Sequence, residues 1–272
     1  MPVNRMHVKK HAILQRRQLI RTRRPVDEFR KPEDGFTRLE LAMLMAAVLM
    51  LATVTLPILA STRNRSEQLT CLSNLRQAGH AFQLWANEHG DRNPWWTSIS
   101  EGGSYQAPGD PSPTWLGLRN NAWFQWAWIS NQLATPKILV CPRDQGVGAA
   151  RRMASDFSTD PNTGFVSAGF RNLAVSYLIG LHSIYDSPRS LLSGDRNMRF
   201  NSVNGTCSAG IGLVEVLNKP FIGVGWTNAI HGQAGNVLYT DGSAEEISAR
   251  DFQRVVPPDQ DGNGGLHIVV PP

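Results

Sequence analysis

The sequence predicts an α+β fold in which one long N-terminal helix packs on an antiparallel sheet. Residues 36–89 hold a run rich in Ala, Leu and Met that continues into an apolar repeat of three- and four-residue steps. Residues 95–272 instead hold short β-rich runs separated by Gly and Pro, with no second long helical pattern. The expected parts are a leader (1–35), an apolar helix (36–62), its amphipathic continuation (63–90) and a globular domain (91–272).

The leader carries the excess of basic charge. Residues 1–35 contain ten Lys/Arg and four Asp/Glu, whereas the remainder contains 17 Lys/Arg and 18 Asp/Glu. A remainder so close to neutral has no broad attraction for phosphate, so we exclude nucleic acid as a partner. Positive charge before an apolar helix also predicts that the N-terminus stays in the cytoplasm while the C-terminal domain is exported.

The apolar helix is long enough to cross a membrane. Residues 41–62 hold no charged side chain, and about 20 helical residues span roughly 30 Å of hydrocarbon. Pro57 is expected to kink the helix near its far end. The run is longer than the roughly 7–15-residue core of a secretory signal peptide, and a poor cleavage site follows it. A plain membrane anchor accounts for the length but not for Glu40 at its start.

Glu40 requires a partner, because a carboxylate inside a bilayer costs roughly 2.5–3.5 kcal/mol. If the chain is cut between Gly35 and Phe36, residue 36 gains an α-amino group close to this acid. In an assembly of parallel helices, the Phe36 ammonium of one subunit can then pair with the Glu40 carboxylate of a neighbour. Such a pair removes the cost of burying both charges and fixes the axial register. Glu40 therefore favours assembly over a free monomer.

The phrase GFTRLEL followed by the apolar run resembles the class III signal of type IV pilins and type II secretion pseudopilins. In that family, prepilin peptidase cuts after the glycine and methylates the new N-terminal residue. The resemblance implies cleavage after Gly35, N-methylation of Phe36, an assembly role for Glu40 and a family-typical helix kink at Pro57. Arg38 departs from the family, which usually has an apolar residue at that place.

This resemblance implies a structural subunit that needs no cofactor and catalyses no reaction. It would be a single-pass inner-membrane protein with a periplasmic domain, moved into a secretion pseudopilus or a type IV pilus-like filament. The implied partners are prepilin peptidase, other copies, minor pseudopilins, the inner-membrane assembly platform and the lipid bilayer. The alternative is a membrane-anchored periplasmic enzyme or carbohydrate-binding protein.

The amphipathic continuation presents one apolar face to the globular domain. This helix is expected to end in the HGDRNP phrase, near His89. The residues of the face recur at three- and four-residue steps: Leu69, Leu72, Leu75, Ala78, Phe82, Trp85 and Ala86.

Three further phrases are similar to those of a narrower pseudopilin-like group. They are residues 71–79, the CPRD phrase at 141–144, and a His followed after nine residues by Asp-Gly. The resemblance marks five positions as a structural motif: Cys71, Cys141, His231, Asp241 and Gly242.

The late His-Asp-Gly phrase also predicts local structure. NVLYTDGSAEEI is typical of a hairpin whose turn is Asp-Gly. Val237 and Tyr239 would lie on one face of its first strand and Leu238 on the other. We favour this structural role for Asp241 and His231 over acid–base chemistry by the same pair.

Six runs are predicted to be strands of an antiparallel sheet. Short helical patches are expected around Ser190 and Ser248. The predicted strands are KILVCP, FVSAGF, LAVSYLIG, GIGLVEVL, NVLYTDG and HIVVPP.

The chain has three cysteines, Cys71, Cys141 and Cys207, without a CxxC or Cys/His zinc spacing. At most one intramolecular disulfide can form, and the sequence does not indicate which pair would form it. Small buried hydrophobes are an equally good interpretation.

Two other features suggest ligands. The DQDGNGG phrase matches the first half of a calcium loop, with Asp259, Asp261 and Asn263 as oxygen ligands. Its twelfth place is Val270, so the bidentate acid is missing, and a solvated turn is the simpler interpretation. A group of tryptophans could bind sugar, but core or subunit contact is favoured: Trp95, Trp96, Trp115, Trp123, Trp126 and Trp128.

Overall fold

The computed structural model describes residues 35–146, 150–187, 189–199, 203–209, 211–217, 223–255 and 265–272. The chain divides into two units, one ending at Thr53 and one running from Val54 to Pro272. A long N-terminal helix precedes an antiparallel sheet, so the predicted α+β class is confirmed.

The helices of the described residues are α1 (Arg38–Glu88), α2 (Ala122–Trp128) and α3 (Phe252–Val255). Short 3-10 helices occupy Pro94–Trp96, Ile99–Glu101, Leu116–Asn120, Pro136–Leu139 and Arg171–Ala174. The strands are β1 (Tyr177–Gly180), β2 (Leu191–Asp195), β3 (Met198–Arg199), β4 (Val203–Thr206), β5 (Gly212–Leu217), β6 (Gly225–Trp226), β7 (Ala234–Tyr239), β8 (Ala244–Ser248) and β9 (Leu266–Val269).

Seven of the strands within the described ranges form one sheet in the order β4-β5-β9-β1-β2-β7-β8. Every neighbouring pair in it is antiparallel. The strands β3 and β6 pair separately. Strand β9 comes last in the chain yet lies between β5 and β1, so the C-terminal segment links the β4–β5 pair to the other four strands.

The second half of α1 supplies one wall of the core. Most of the predicted apolar face is buried, including Leu75, Ala78 and Phe82. Leu69 was predicted on this face but is half exposed, because full burial of the helix begins only at Cys71. The helix ends at Glu88, close to the predicted His89.

The main sheet is covered on both faces. On β7, Leu238 lies in the core that contains α1 and α2, whereas Val237 and Tyr239 lie in the core that contains Trp226 and Phe252. Side chains alternate between faces along a strand, so this division is the one that the hairpin pattern predicts. Burial on both faces also explains why several strands lack a clean polar alternation.

Two of the six strand predictions are wrong. KILVCP begins with a 3-10 helix, because Pro136 fixes its first φ angle and the Thr135 hydroxyl accepts a hydrogen bond from the Lys137 N–H. FVSAGF forms successive turns, with the Ser167 N–H donating to the Gly164 carbonyl. The other four runs overlap β1, β5, β7 and β9, so these predictions are confirmed.

The two expected helical patches are also corrected. Ser190 directly precedes strand β2, and Ser248 ends strand β8. The short helix α3 begins only at Phe252, after a turn in which the Ser248 hydroxyl donates to the Asp251 carboxylate. The polar residues at both places form turns and strand ends rather than helix caps.

Candidate functional site

Gly35 and Phe36 lie just before α1 and Glu40 lies in its first turn, and all three are exposed. The Phe36 side chain is 78% exposed. The Glu40 carboxylate accepts hydrogen bonds from the Thr37 N–H and hydroxyl, and the Thr37 hydroxyl accepts one from the Glu40 N–H at 3.2 Å. This reciprocal arrangement is a capping box, which satisfies donors at a helix start. Glu40 therefore has a partner within its own chain, and the Thr-x-x-Glu spacing was a signal that sequence reasoning missed.

The apolar half of α1 is exposed to its surroundings throughout. Among the described residues, one helix is long and apolar enough to cross a membrane, and none of its most apolar window of 18 residues is buried. Pro57 lies inside this continuous helix. The Thr53 hydroxyl donates to the Met50 carbonyl at 2.8 Å, as expected for a threonine in an apolar helix. These features fit a single-pass membrane protein.

A disulfide joins Cys71 on α1 to Cys141, which follows the Pro136–Leu139 helix. Their Cα atoms are 5.1 Å apart and both residues are fully buried. The pair closes a segment of 70 residues, and a loop of that length stabilises a fold by roughly 4 kcal/mol in the chain-entropy account. The structure thus selects one of the pairings that the sequence left open.

His231 lies against this disulfide. Its Nε2 atom is 3.4 Å from the Cys141 Sγ atom and 3.5 Å from an Asp195 carboxylate oxygen, and its side chain is 1% exposed. Burial, with the charge of Arg143, lowers the pKa of His231 to about 4. Burial raises the pKa of Asp195 to about 8, although a hydrogen bond from the Asn236 N–H opposes the shift. Near neutral pH both groups are therefore uncharged.

Asp144, of the CPRD phrase, is held by two arginines. Arg196 donates to both carboxylate oxygens at 2.7 and 2.9 Å, and Arg151 lies 3.3 Å away. Burial acts to raise the pKa of Asp144, but the hydrogen bonds and charges of Arg196 and Arg151 outweigh it and keep the pKa below its usual value. A paired carboxylate of this kind anchors the loop after Cys141.

No family model, curated protein or solved structure matches this chain. The roles of these side chains therefore rest on their geometry. The disulfide, His231 and Asp195 form one buried group that touches α1, the CPRD loop and strand β2. Its side chains are buried, so the arrangement is suited to holding elements together.

Asp241 and Gly242 form the predicted turn between β7 and β8. An Asp241 carboxylate oxygen accepts a hydrogen bond from the Ser243 N–H at 2.8 Å, and Gly242 has a φ of +81°. A Cβ atom at Gly242 would lie 2.8 Å from Gln83 Nε2, and one at Gly79 would lie 2.8 Å from Leu238 Cδ1. The two glycines thus allow the turn to approach α1 closely.

His231 and Asp241, which an acid–base site would have to bring together, do not meet. Within the described residues, no hydrogen bond or ion pair joins His231 to Asp241, and the partner of His231 is instead Asp195. Sequence reasoning missed Asp195, Arg196 and Arg151, since no short spacing connects them to the CPRD phrase. The Gly-Asp-Arg run at 194–196 resembles a turn, although it begins inside a central strand.

The candidate calcium ligands and the tryptophan group remain to be placed. The calcium ligands Asp259, Asp261 and Asn263 lie outside the described residues. Trp95 and Trp126 are fully buried on either side of Phe82, with ring centroids 5.6 and 5.2 Å from it. The other four tryptophans of the group are buried or pack against the same core, so the core prediction is confirmed.

Proposed function

We propose that this protein is a structural, pseudopilin-like subunit. Prepilin peptidase cleaves it after Gly35 and methylates Phe36, and its apolar helix holds it in the inner membrane with the C-terminal domain in the periplasm. The processed subunit joins other copies and minor pseudopilins, through an assembly platform, in a type II secretion pseudopilus or a type IV pilus-like filament. It requires no cofactor and no reaction of its own.

The observation that supports this proposal best is the division of burial along one helix. The first half of α1 exposes apolar side chains such as Leu51 and Leu56, whereas its second half forms core with Leu75 and Phe82. An exposed apolar surface of this length is unfavourable in water, so lipid or other apolar helices must cover it. A subunit that passes from a bilayer into a bundle of like helices meets that need at both stages.

The environment of Glu40 supports the assembly step. Its carboxylate is bound to Thr37, one residue from the proposed new N-terminus at Phe36. A carboxylate has more acceptor sites than these two hydrogen bonds use. An ammonium from a neighbouring Phe36 can therefore pair with Glu40 while the Thr37 bonds persist.

The burial of His231 supports a structural role over acid–base chemistry. Its side chain is 1% exposed and contacts a disulfide sulfur. A general acid or base must come within hydrogen-bond reach of its substrate. The burial of the tryptophans Trp95 and Trp126 likewise supports packing over sugar stacking.

The first experiment is the N-terminal mass of the protein purified from its own membranes. We expect a chain that begins at N-methylated Phe36. A chain that still begins at Met1, in cells with active prepilin peptidase, would contradict processing and reduce the helix to an anchor.

The second experiment compares Glu40→Ala with Thr37→Ala by chemical cross-linking in native membranes. Glu40→Ala should still be cleaved and inserted. Its yield of cross-linked oligomer should be at least about tenfold lower than that of the wild type, because the inter-subunit charge pair is gone. Thr37→Ala removes the capping partner but keeps the carboxylate, so it should retain most oligomer. Equal losses in the two variants would assign Glu40 to helix capping alone.

A further inference from the structure

A second group of polar side chains converges beside the central strands β1 and β9 of the main sheet. It contains His182, Cys207 and His267, which come from three distant parts of the chain. His182 follows strand β1, Cys207 follows β4, and His267 lies in β9. The Leu181 N–H donates to the His267 carbonyl at 2.9 Å, so the backbone itself fixes the two histidines as neighbours.

The ligand atoms of these three residues converge. His182 Nε2 is 2.8 Å from the Cys207 Sγ atom and 2.9 Å from His267 Nδ1, and all three atoms lie within 4.8 Å of one another. Cys207 and His267 are 5% and 1% exposed, whereas His182 is half-buried. Two ligands are therefore fixed in the interior, and the third borders solvent, where an ion can enter.

Two neighbouring groups interact with the sulfur of Cys207. The Ala209 N–H points at its sulfur from 3.5 Å, which is a common contact of metal-bound thiolates. Arg119 is buried, donates to the Ala209 carbonyl, and interacts electrostatically with Cys207. A nearby guanidinium stabilises the anionic sulfur that a metal ion requires.

We propose that His182, Cys207 and His267 form a three-ligand site for a thiophilic d10 metal ion, Cu(I) or Zn(II). One thiolate and two imidazoles suit these soft and borderline ions, whereas Ca²⁺ and Mg²⁺ require oxygen ligands. Binding exchanges the Cys207 proton for the metal ion, and that proton leaves to solvent. Ligand atoms around such an ion are roughly 3.3–3.6 Å apart, so the half-buried His182 ring moves outward by under about 1 Å.

The net charge of the occupied site predicts different affinities for Cu(I) and Zn(II). The thiolate already offsets the charge of Arg119, so Cu(I) leaves one net positive charge in the interior and Zn(II) leaves two. Burying uncompensated charge is costly, and Cu(I) accepts three ligands readily. We therefore expect tighter binding of Cu(I), with Zn(II) taking water as a fourth ligand on the side of His182. This site is independent of the proposed filament function.

The test is a metal titration of the full-length protein in detergent, with its disulfide intact. Cu(I), kept reduced by ascorbate, competes with a chromogenic Cu(I) chelator, and Zn²⁺ competes with a zinc indicator in a parallel titration. Co²⁺ serves as the spectroscopic probe, because a thiolate ligand gives it a charge-transfer band. Cys71 and Cys141 are joined to each other, so in this chain such a band reports Cys207. We expect one equivalent of metal and this band.

Variants locate the site. Cys207→Ser should abolish the cobalt band, and His267→Gln should weaken binding at least about tenfold. His80→Gln is the matched control, because this histidine is exposed on α1, and it should bind as wild type does. Thermal unfolding checks that each variant folds. If Cys207→Ser does not fold, the cobalt charge-transfer band of the wild-type protein still tests the proposal. Wild-type protein that binds no stoichiometric ion, or binds one without a thiolate band, would overturn the proposal.

Discussion

The two halves of α1 share one continuous helix but differ in what surrounds them. In the first half, apolar side chains such as Leu49, Leu51 and Leu56 point outward around the helix and are more than half exposed. In the second half, Leu75, Phe82 and their neighbours on one face are buried while the opposite face stays polar. The comparison shows that helix formation alone does not decide burial. The first half needs an apolar medium, whereas the second half obtains one from its own domain.

The sharpest test of this comparison truncates one apolar side chain in each half. Phe82→Ala should lower the free energy of unfolding by about 3–5 kcal/mol, because it opens a cavity between Trp95 and Trp126. Leu56→Ala should change it by less than about 0.5 kcal/mol, since Leu56 is 64% exposed. Denaturant unfolding in detergent, followed by tryptophan fluorescence, measures both, because all tryptophans lie beyond residue 84. Equal effects would remove the distinction between the halves.

The second test, which has a smaller expected effect, enlarges a side chain instead of truncating one. Gly79→Ala should destabilise by about 1–3 kcal/mol, because its Cβ would lie 2.8 Å from Leu238 Cδ1 in a filled core. Ala46→Leu, in the exposed half, should leave the unfolding midpoint unchanged. Gly117→Ala is a second control, since nothing lies within 4 Å of a Cβ at that position. A neutral Gly79→Ala variant would show that the Leu238 side chain can shift away from the helix.

The third test concerns the slope of stability against pH, whose effect at any single pH step is the smallest of the three. The folded-state pKa of Asp195 is raised by burial to about 8 from its ordinary 3.8. Its contribution is therefore full below about pH 4 and is lost as pH rises toward 8, at up to about 1.4 kcal/mol per pH unit. Asp195→Asn should flatten the unfolding free energy between about pH 6.5 and 8, whereas Glu40→Gln in the exposed half should not. An unchanged slope in Asp195→Asn would mean that Asp195 ionises without cost.

The pH experiment contains an internal check. The pKa of His231 is lowered by burial to about 4, so its contribution is present above its ordinary pKa of 6.5 and is lost as pH falls through the window to 4. Both wild type and Asp195→Asn keep this histidine. Between about pH 4 and 6.5 the two contributions have opposite slopes and largely cancel in the wild type. Asp195→Asn should therefore lose stability as pH falls over this range, while the wild type stays nearly level.

Long local patterns could be predicted from the sequence, but contacts between distant segments could not. The helix bounds and the Asp241-Gly242 turn follow from neighbouring residues, so their chemistry is visible in the sequence. Strand β2 was missed because LLSGD contains typical turn residues. Its Gly194 instead permits a close approach, since a Cβ there would lie 2.9 Å from the Asn236 carbonyl.

The contacts among the site residues likewise could not be predicted from the sequence. Cys71 and Cys141 lie 70 positions apart, and their pairing depends on how the Pro136–Leu139 helix places the second cysteine. His231 meets Asp195, and His182 meets Cys207 and His267, only after the sheet order is set. Neither group has a spacing that periodicity or a motif could detect.

The disulfide has a mechanical consequence for the chain. If the N-terminal end of α1 is pulled, the tension reaching Cys71 passes through the sulfur–sulfur bond to Cys141. The load then bypasses the chain between these two cysteines, which are 70 positions apart. That segment includes the last part of α1 and all of α2. A segment of that length would otherwise add roughly 230–250 Å of extensible contour. The domain can therefore be drawn by its helix without that segment unravelling, for as long as the bridge stays oxidised.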